Sequence, residues 1–254
     1  MPTLVMGVLN VTPDSFSDGG RWHAHGAAIE HGLRLIAEGA DIVDVGGEST
    51  RPGAAEVDEA EELRRVLPVV EALAPHVQVS IDTAKPAVAT AAVRAGASIV
   101  NDVTASLGDV AAELGVGWVA MHMQGTPRTM QADPRYDDVV REVCDYLVER
   151  AEKARAAGVT EVWIDPGIGF GKTADHNLSL LRHLSTFVGT GWPVLIGASR
   201  KSFLGRVTGD ASAEDRLEAS LAVAVWSMLH GAAIVRVHDV AETVRAAKVA
   251  GVAA

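Results

Sequence analysis

Eight short apolar runs, each closing on polar residues, constrain this chain more than any other feature. The runs are Leu4–Leu9, Ile42–Val45, Val77–Ile81, Ile99–Val103, Trp118–Met121, Val162–Ile164, Val194–Ile196 and Ile234–Val237. In or just beyond their last turns lie Asn10, Glu48, Asp82, Asn101, His122, Asp165, the Ser199-Arg200-Lys201 run, and Arg236 with His238. Turn chemistry alone favours Gly, Asn and Asp at such ends, not His, Arg and Lys. Apolar bodies with chemistry confined to the carboxyl ends are what a (β/α)8 barrel requires, where strands build a packed core and the following loops build the site. The expected fold is therefore α/β, a single-domain TIM barrel over residues 1–254 with its active site at the C-terminal ends of the strands. The 254 residues match the roughly 250 of one such barrel.

Helical periodicity fills the gaps: Ala27–Glu38, Val57–Leu73, Pro86–Arg94, Asp109–Leu114, Asp137–Ala157, His176–Phe187, Ala213–Leu229 and Ala241–Val249. Ser212 with Asp215 reads as a capping-type start for the seventh of these. Before three strands a helix end is followed by Gly and a small residue, at Gly39-Ala40, Gly96-Ala97 and Gly231-Ala232. Glycine there closes a helix in the left-handed conformation. Three polar loops are long, Val11–Gly26, Ser49–Ala55 and Gln124–Arg135, and long loops in a compact barrel are usually functional.

The formal net charge is −11. It argues against nucleic acid or an anionic membrane as partner and leaves room for a small anion held by a local cation cluster. The one cysteine, Cys144, forms no intramolecular disulfide and reads as packing. No signal peptide and no unbroken apolar stretch of membrane-spanning length is apparent. A cytoplasmic protein is expected.

The chemistry sits in the loops. The first reads Asn10-Val-Thr-Pro-Asp-Ser-Phe-Ser-Asp18. Asn10 offers an amide oxygen suited to a hard cation, Asp14 and Asp18 suit water, metal or their own backbone, and Phe16 suits packing on a ligand. The second, Gly46-Gly-Glu-Ser-Thr-Arg51-Pro52, pairs close backbone approach with a forked donor for phosphate. Asp82 and Asn101 place polar groups in the barrel mouth. Asp165-Pro-Gly-Ile-Gly-Phe-Gly-Lys-Thr173 is not a P-loop, because Pro166 stands where that motif needs Gly. Strand alternation puts Arg236 and His238 on one face, a pair suited to an oxyanion or diphosphate.

Taken together, the segments Met6–Gly20, Gly47–Gly53, Ser80–Thr83, Asn101–Val103, Met121–Pro127, Asp165–Thr173, Gly197–Gly205 and Arg236–His238 closely resemble the dihydropteroate synthase family, in order. The full first loop and the Ser-Arg-Lys segment favour it over the methyltetrahydrofolate methyltransferases. The resemblance implies condensation of 6-hydroxymethyl-7,8-dihydropterin diphosphate with 4-aminobenzoate, giving 7,8-dihydropteroate and diphosphate in folate synthesis. It implies that Asp82, Asn101, Asp165 and Lys201 bind the pterin, and that Thr50, Arg236 and His238 hold the diphosphate with Arg51 nearby. It implies that Asn10 coordinates Mg2+, and that Phe16, Pro52, Phe170 and Ser202 shape the aminobenzoate site where sulfonamides compete. The catalytic set it implies is Asp18, Arg51, Lys201, Arg236 and His238. A homodimer is expected, both from the family and from the apolar stretch Ala219–Leu229. There Leu217, Leu221, Val225 and Met228 would cover the barrel while Val223 and Trp226 face outward.

Overall fold

The computed structural model describes residues 2–12, 21–50, 53–209, 212–213 and 215–252, and side chains from residue 25 onward in the first helix. Phe16, Asp18, Arg51 and Pro52 lie outside the described residues. The strands are β1 (Leu4–Asn10), β2 (Ile42–Gly46), β3 (Gln78–Asp82), β4 (Ile99–Asp102), β5 (Gly117–Met121), β6 (Val162–Asp165), β7 (Leu195–Ile196) and β8 (Ile234–Val237). The helices are α1 (Arg21–Ala37), α2 (Glu59–Leu73), α3 (Pro86–Arg94), α4 (Gly108–Leu114), α5 (Val139–Ala157), α6 (Ala174–Arg182), α7 (Leu184–Val188), α8 (Ser202–Val207), α9 (Leu217–Leu229) and α10 (Val240–Ala250).

All strand pairs are parallel, in the order β6-β5-β4-β3-β2-β1-β8-β7. The two ends meet through an Ile164–Val194 bridge and a 3.0 Å bond from Ile164 N to Pro193 O, which closes the barrel. Two cores follow from the period-2 alternation of the strands. Outward-facing Val43, Val45, Ile81, Val100, Trp118 and Ile164 pack under the helices with Val66, Leu73, Leu147 and Phe187. Inward-facing Met6, Ile42, Ile99, Val119, Leu195 and Ile234 form a separate plug. Two residues beyond Ile42, Ile99 and Ile234 on the same strand faces stand Asp44, Asn101 and Arg236. One alternation thus sets an apolar floor and places polar groups on it.

The expected glycines behave as their position requires: Gly39 and Gly96 sit at φ 101° and 116°, where a Cβ is strained. Several helix expectations need correction. The α1 helix starts at Arg21, six residues before the expected Ala27. The expected Ala213–Leu229 helix begins only at Leu217, with Arg216 as an N-cap that makes no side-chain cap bond. Ser212 Oγ instead bonds Asp215 Oδ2 at 2.7 Å and closes a turn before it. His176–Phe187 is two helices broken at His183, and α8 had no apolar pattern to announce it. On α9 the buried face is Ser220, Ala224, Ser227 and Met228, so Leu217, Leu221 and Val225 are only half-buried. Small residues let the helix lie close to the barrel; Trp226 and Leu229 are left exposed, whereas Val223, expected to face outward, packs against the core.

Candidate active site

Arg236 organises the barrel mouth. Its Nε donates to Asp44 Oδ2 at 2.6 Å and its Nη2 to Asp82 Oδ2 at 2.8 Å. Asn101 Nδ2 donates to the same Asp44 oxygen at 2.9 Å. The chain Asn101–Asp44–Arg236–Asp82 therefore joins β4, β2, β8 and β3, and cross-strand register sets Asp82 beside both Asn101 and Gly46. Asp44 is 0% exposed. A carboxylate this deep needs charge-assisted partners; Arg236 Nε supplies one at Oδ2, while Oδ1 is buried without a hydrogen-bond partner.

Asp165 ends β6 and accepts the Gly167 N–H at 2.8 Å. The turn after it wraps Lys201: the Nζ donates to Ile168 O and lies 4.4 Å from the Phe170 ring centroid. That turn is set from below by Lys172, 2% exposed, whose Nζ reaches Phe170 O at 3.0 Å, His122 O at 3.2 Å and His122 Nδ1 at 3.0 Å. Ser199 Oγ accepts the His238 N–H at 3.2 Å and lies 3.1 Å from His238 Nδ1, which fixes the ring beside Arg236.

Burial dominates the titration of this cluster. It pushes the Asp82 carboxyl up to about 7, with Arg236 opposing and Asp44, Glu62 and Asp102 reinforcing the rise. It also raises Asp165, against the pull of Lys201, the Gly167 N–H, Lys172 and Arg236. It lowers Lys201 to about 8, with Asp165 holding the proton back. Burial works against the charge on Arg236 too, but Asp44 and Asp82 outweigh it and hold the guanidinium above its usual value. Burial thus favours the neutral forms of Asp82 and Lys201, while the flanking carboxylates keep Arg236 charged.

The family model for pterin binding enzyme matches residues 6–238. The dihydropteroate synthase of Escherichia coli (strain K12) is 50% identical over 254 residues, covering 96% of this chain and 89% of that protein. This chain belongs to the dihydropteroate synthase family. Among solved structures, the Yersinia pestis dihydropteroate synthase with a sulfonamide drug complex superposes with a TM-score of 0.92 at 45% identity, over 98% of this chain and 94% of that one. The Xanthomonas albilineans dihydropteroate synthase in complex with 7,8-dihydropteroate gives 0.88 at 46% identity, over 98% and 92%.

Of the residues that resemblance to the dihydropteroate synthases singled out, Asp82, Asn101, Asp165, Lys201 and Arg236 converge in the mouth through the contacts above, with His238 at its rim. Phe170 joins them through Lys201. Asn10 ends β1 and Thr50 follows β2 by four residues; Ser202 opens α8 and is exposed. Arg200, adjacent to Lys201 in sequence, turns away. It takes a left-handed φ of 58° and its Nε bonds Asp239 Oδ2 at 3.0 Å. Sequence reasoning missed Asp44 and Lys172. Asp44 was legible, since it follows inward-facing Ile42 by two; Lys172 offered only a discarded motif.

Proposed function

We propose that the protein is a dihydropteroate synthase, joining 6-hydroxymethyl-7,8-dihydropterin diphosphate to 4-aminobenzoate with release of diphosphate. The observation that carries this reading is the Asn101–Asp44–Arg236–Asp82 chain, buried at Asn101 and Asp44 and half-buried at Arg236 and Asp82, beside Asp165 and Lys201. A pterin's amino-pyrimidinone edge presents adjacent N–H donors, and in this reading the Asp165 carboxylate accepts them. Asp82 and Asn101 read the other ring nitrogens. Arg236 and His238 hold the diphosphate and stabilise charge as the C–O bond to it lengthens. The methylene becomes cation-like, and the neutral aryl amine captures it without a covalent enzyme intermediate. Asp82, with its carboxyl near 7, can take up a proton on that face. Thr50, with Arg51 beyond it, belongs to the diphosphate side. Phe170 and Ser202, with Phe16 and Pro52, belong to the aminobenzoate side. Asp18 and Arg51 complete the catalytic set with Lys201.

The residues fit a magnesium ion. Asn10 Oδ1 and Asp82 Oδ2 each lie 3.7 Å from where a Cβ on Gly46 would stand, so glycine keeps open a space bordered by hard oxygens. Among the described residues no cluster of three or more His, Cys, Asp and Glu could hold a metal, so substrate oxygens would complete the shell. Asn10 would be the protein ligand. Bound there with the diphosphate, Mg2+ would offset the leaving group's charge. No helix among the described residues is long and apolar enough to cross a membrane. A cytoplasmic, single-domain protein over 1–254 fits this reading. So does a homodimer through α9, where Trp226 is 45% and Leu229 58% exposed. The deciding assay is diphosphate release that depends on 4-aminobenzoate. Release at the same rate without the amine would mean hydrolysis, and no release would refute the assignment.

A further inference from the structure

Glu48 lies just beyond the second apolar run, and no step of the proposed reaction uses it. Its carboxylate works twice. Oε1 accepts the Val57 N–H at 3.0 Å, nine residues along the chain, and Oε2 accepts Lys85 Nζ at 2.5 Å. The first bond joins the two ends of the loop that follows β2. Thr50, Arg51 and Pro52 all fall between them in sequence. The second ties that neck to the body of the protein. Lys85 stands before α3 and also donates to Glu62, an α2 carboxylate that is 0% exposed. Glu62 in turn accepts Thr83 Oγ1 at 2.7 Å.

A buried carboxylate is kept only with a cation beside it. Glu62 therefore fixes Lys85, and Lys85 fixes Glu48. The start of the loop is sealed on its other side. Arg65 Nη1 donates to Gly47 O at 2.8 Å, and a Cβ on Gly47 would stand 2.8 Å from Val66 Cγ1 and 3.0 Å from Glu62 Cγ. The loop base is thus pressed onto α2 where no side chain fits. Closing a loop at its neck removes most of the conformations its free ends would sample. A residue two positions beyond the clamp inherits that restriction, and Thr50 is that residue.

We propose that Glu48 is a positioning residue for the reaction: backed by Lys85 and Glu62, it bridges to Val57 across the neck of the loop after β2 and so presents Thr50 to the diphosphate. The inference rests on the reading of the protein as a dihydropteroate synthase. It separates the loop from the pterin pocket, whose Asp82, Asn101 and Asp165 are held by strands. Two variants test it. Glu48→Ala opens the neck and leaves the buried pair intact. Lys85→Met with Glu62→Gln removes the post without stranding a buried charge, because glutamine still accepts from Thr83. In both, the KM of the pterin diphosphate is expected to rise about tenfold or more, the scale of one lost charge-assisted bond. In Glu48→Ala, which keeps the Glu62 charge near Asp82, the Kd of 6-hydroxymethyl-7,8-dihydropterin, which lacks the diphosphate, is expected to stay within about twofold. Equal losses for both ligands in Glu48→Ala would mean general damage to the barrel and overturn the proposal. So would folded variants that match the wild type, or a loss confined to Glu48→Ala. Wild-type protein that turns nothing over would instead remove the functional reading, and this inference with it.

Discussion

Replacing Gly167 with alanine tests how tightly the turn after β6 is pressed onto β5. The residue has a φ of 66°, and a Cβ there would stand 1.9 Å from His122 O and 3.0 Å from its carbonyl carbon. Backbone, not a flexible side chain, is in the way. His122 N also bonds Asp165 O at 3.0 Å, so the segment that must move carries Asp165 itself. Two costs combine. A non-glycine residue in the left-handed region costs about 1–2 kcal/mol, and overpacking costs about 1–3 kcal/mol. Gly115 separates them, since its φ is 67° and a Cβ there would meet nothing within 4 Å. Gly115→Ala should then show only the backbone cost. Gly167→Ala should lose a further 1–3 kcal/mol, about 2–12 °C in Tm for a domain of this size. Pterin affinity should fall only in Gly167→Ala, because the Gly167 N–H that orients Asp165 and the Ile168 carbonyl that holds Lys201 both shift. Thermal unfolding and pterin titration of the two variants are sufficient. Equal melting temperatures and equal affinities would refute the close approach and the role given to this turn.

Asp165→Asn keeps the size of a pterin acceptor and removes its charge, so pterin affinity is expected to fall about 10- to 150-fold with little change in melting temperature; a collapsed Tm with unchanged binding would make Asp165 structural. Asp82 binds its proton more tightly folded than unfolded, from 3.8 to about 7, so its contribution to stability falls as pH rises through that interval and is flat above it. Denaturant unfolding of the wild type minus Asp82→Asn isolates the slope, and a difference that grows with pH would reverse the sign. Removing Mg2+ with a chelator should abolish dihydropteroate formation while leaving 6-hydroxymethyl-7,8-dihydropterin binding intact in calorimetry; product formation at the wild-type rate would dismiss the metal. Sedimentation should return a dimer at micromolar concentration, and Trp226→Lys with Leu229→Lys should shift it to monomer; a wild-type monomer throughout would leave α9 an exposed apolar helix and nothing more.

The barrel was legible because each strand advertises itself locally. The short apolar runs predicted eight strands within one or two residues of where they lie, and Pro86 at the first position of α3 marks where that helix starts. What failed was what has no local cause. The helical period runs through His183 without a break, so the split between α6 and α7 leaves no trace in the apolar pattern. The α9 stretch is apolar on nearly every side, so its sequence could not say which face the barrel takes. Small residues won because they permit closer approach. The ion pairs were hidden for another reason. Arg236 meets Asp44 across 192 positions, and Lys85 meets Glu62 across 23, so only barrel closure makes them neighbours.

Charge at the mouth connects that closure to the chemistry. Asp44, Asp82 and Asp165, with Glu62 and Asp102 behind them, act on a cluster whose cations are Lys201, Arg236 and Lys172, so carboxylates outnumber cations. Buried charge has to balance, and the members of the cluster do not share the burden equally. Arg236 keeps its proton, since Asp44 and Asp82 flank it. Asp82 is the group whose carboxyl rises to about 7, so near neutrality it holds a proton for part of the time and the excess charge is relieved there. A ligand rich in N–H donors would relieve the same excess without bringing a cation, and a pterin ring is such a ligand. A diphosphate adds negative charge and would be repelled by the carboxylates alone. In the proposed reaction it would approach from the side where Arg236 and His238 stand, and a divalent cation in the space that Gly46 keeps open would offset its charge. The single alternation that placed Asp44, Asn101 and Arg236 above an apolar plug thus also sets which side of the mouth suits an N–H-rich ring and which suits an anion.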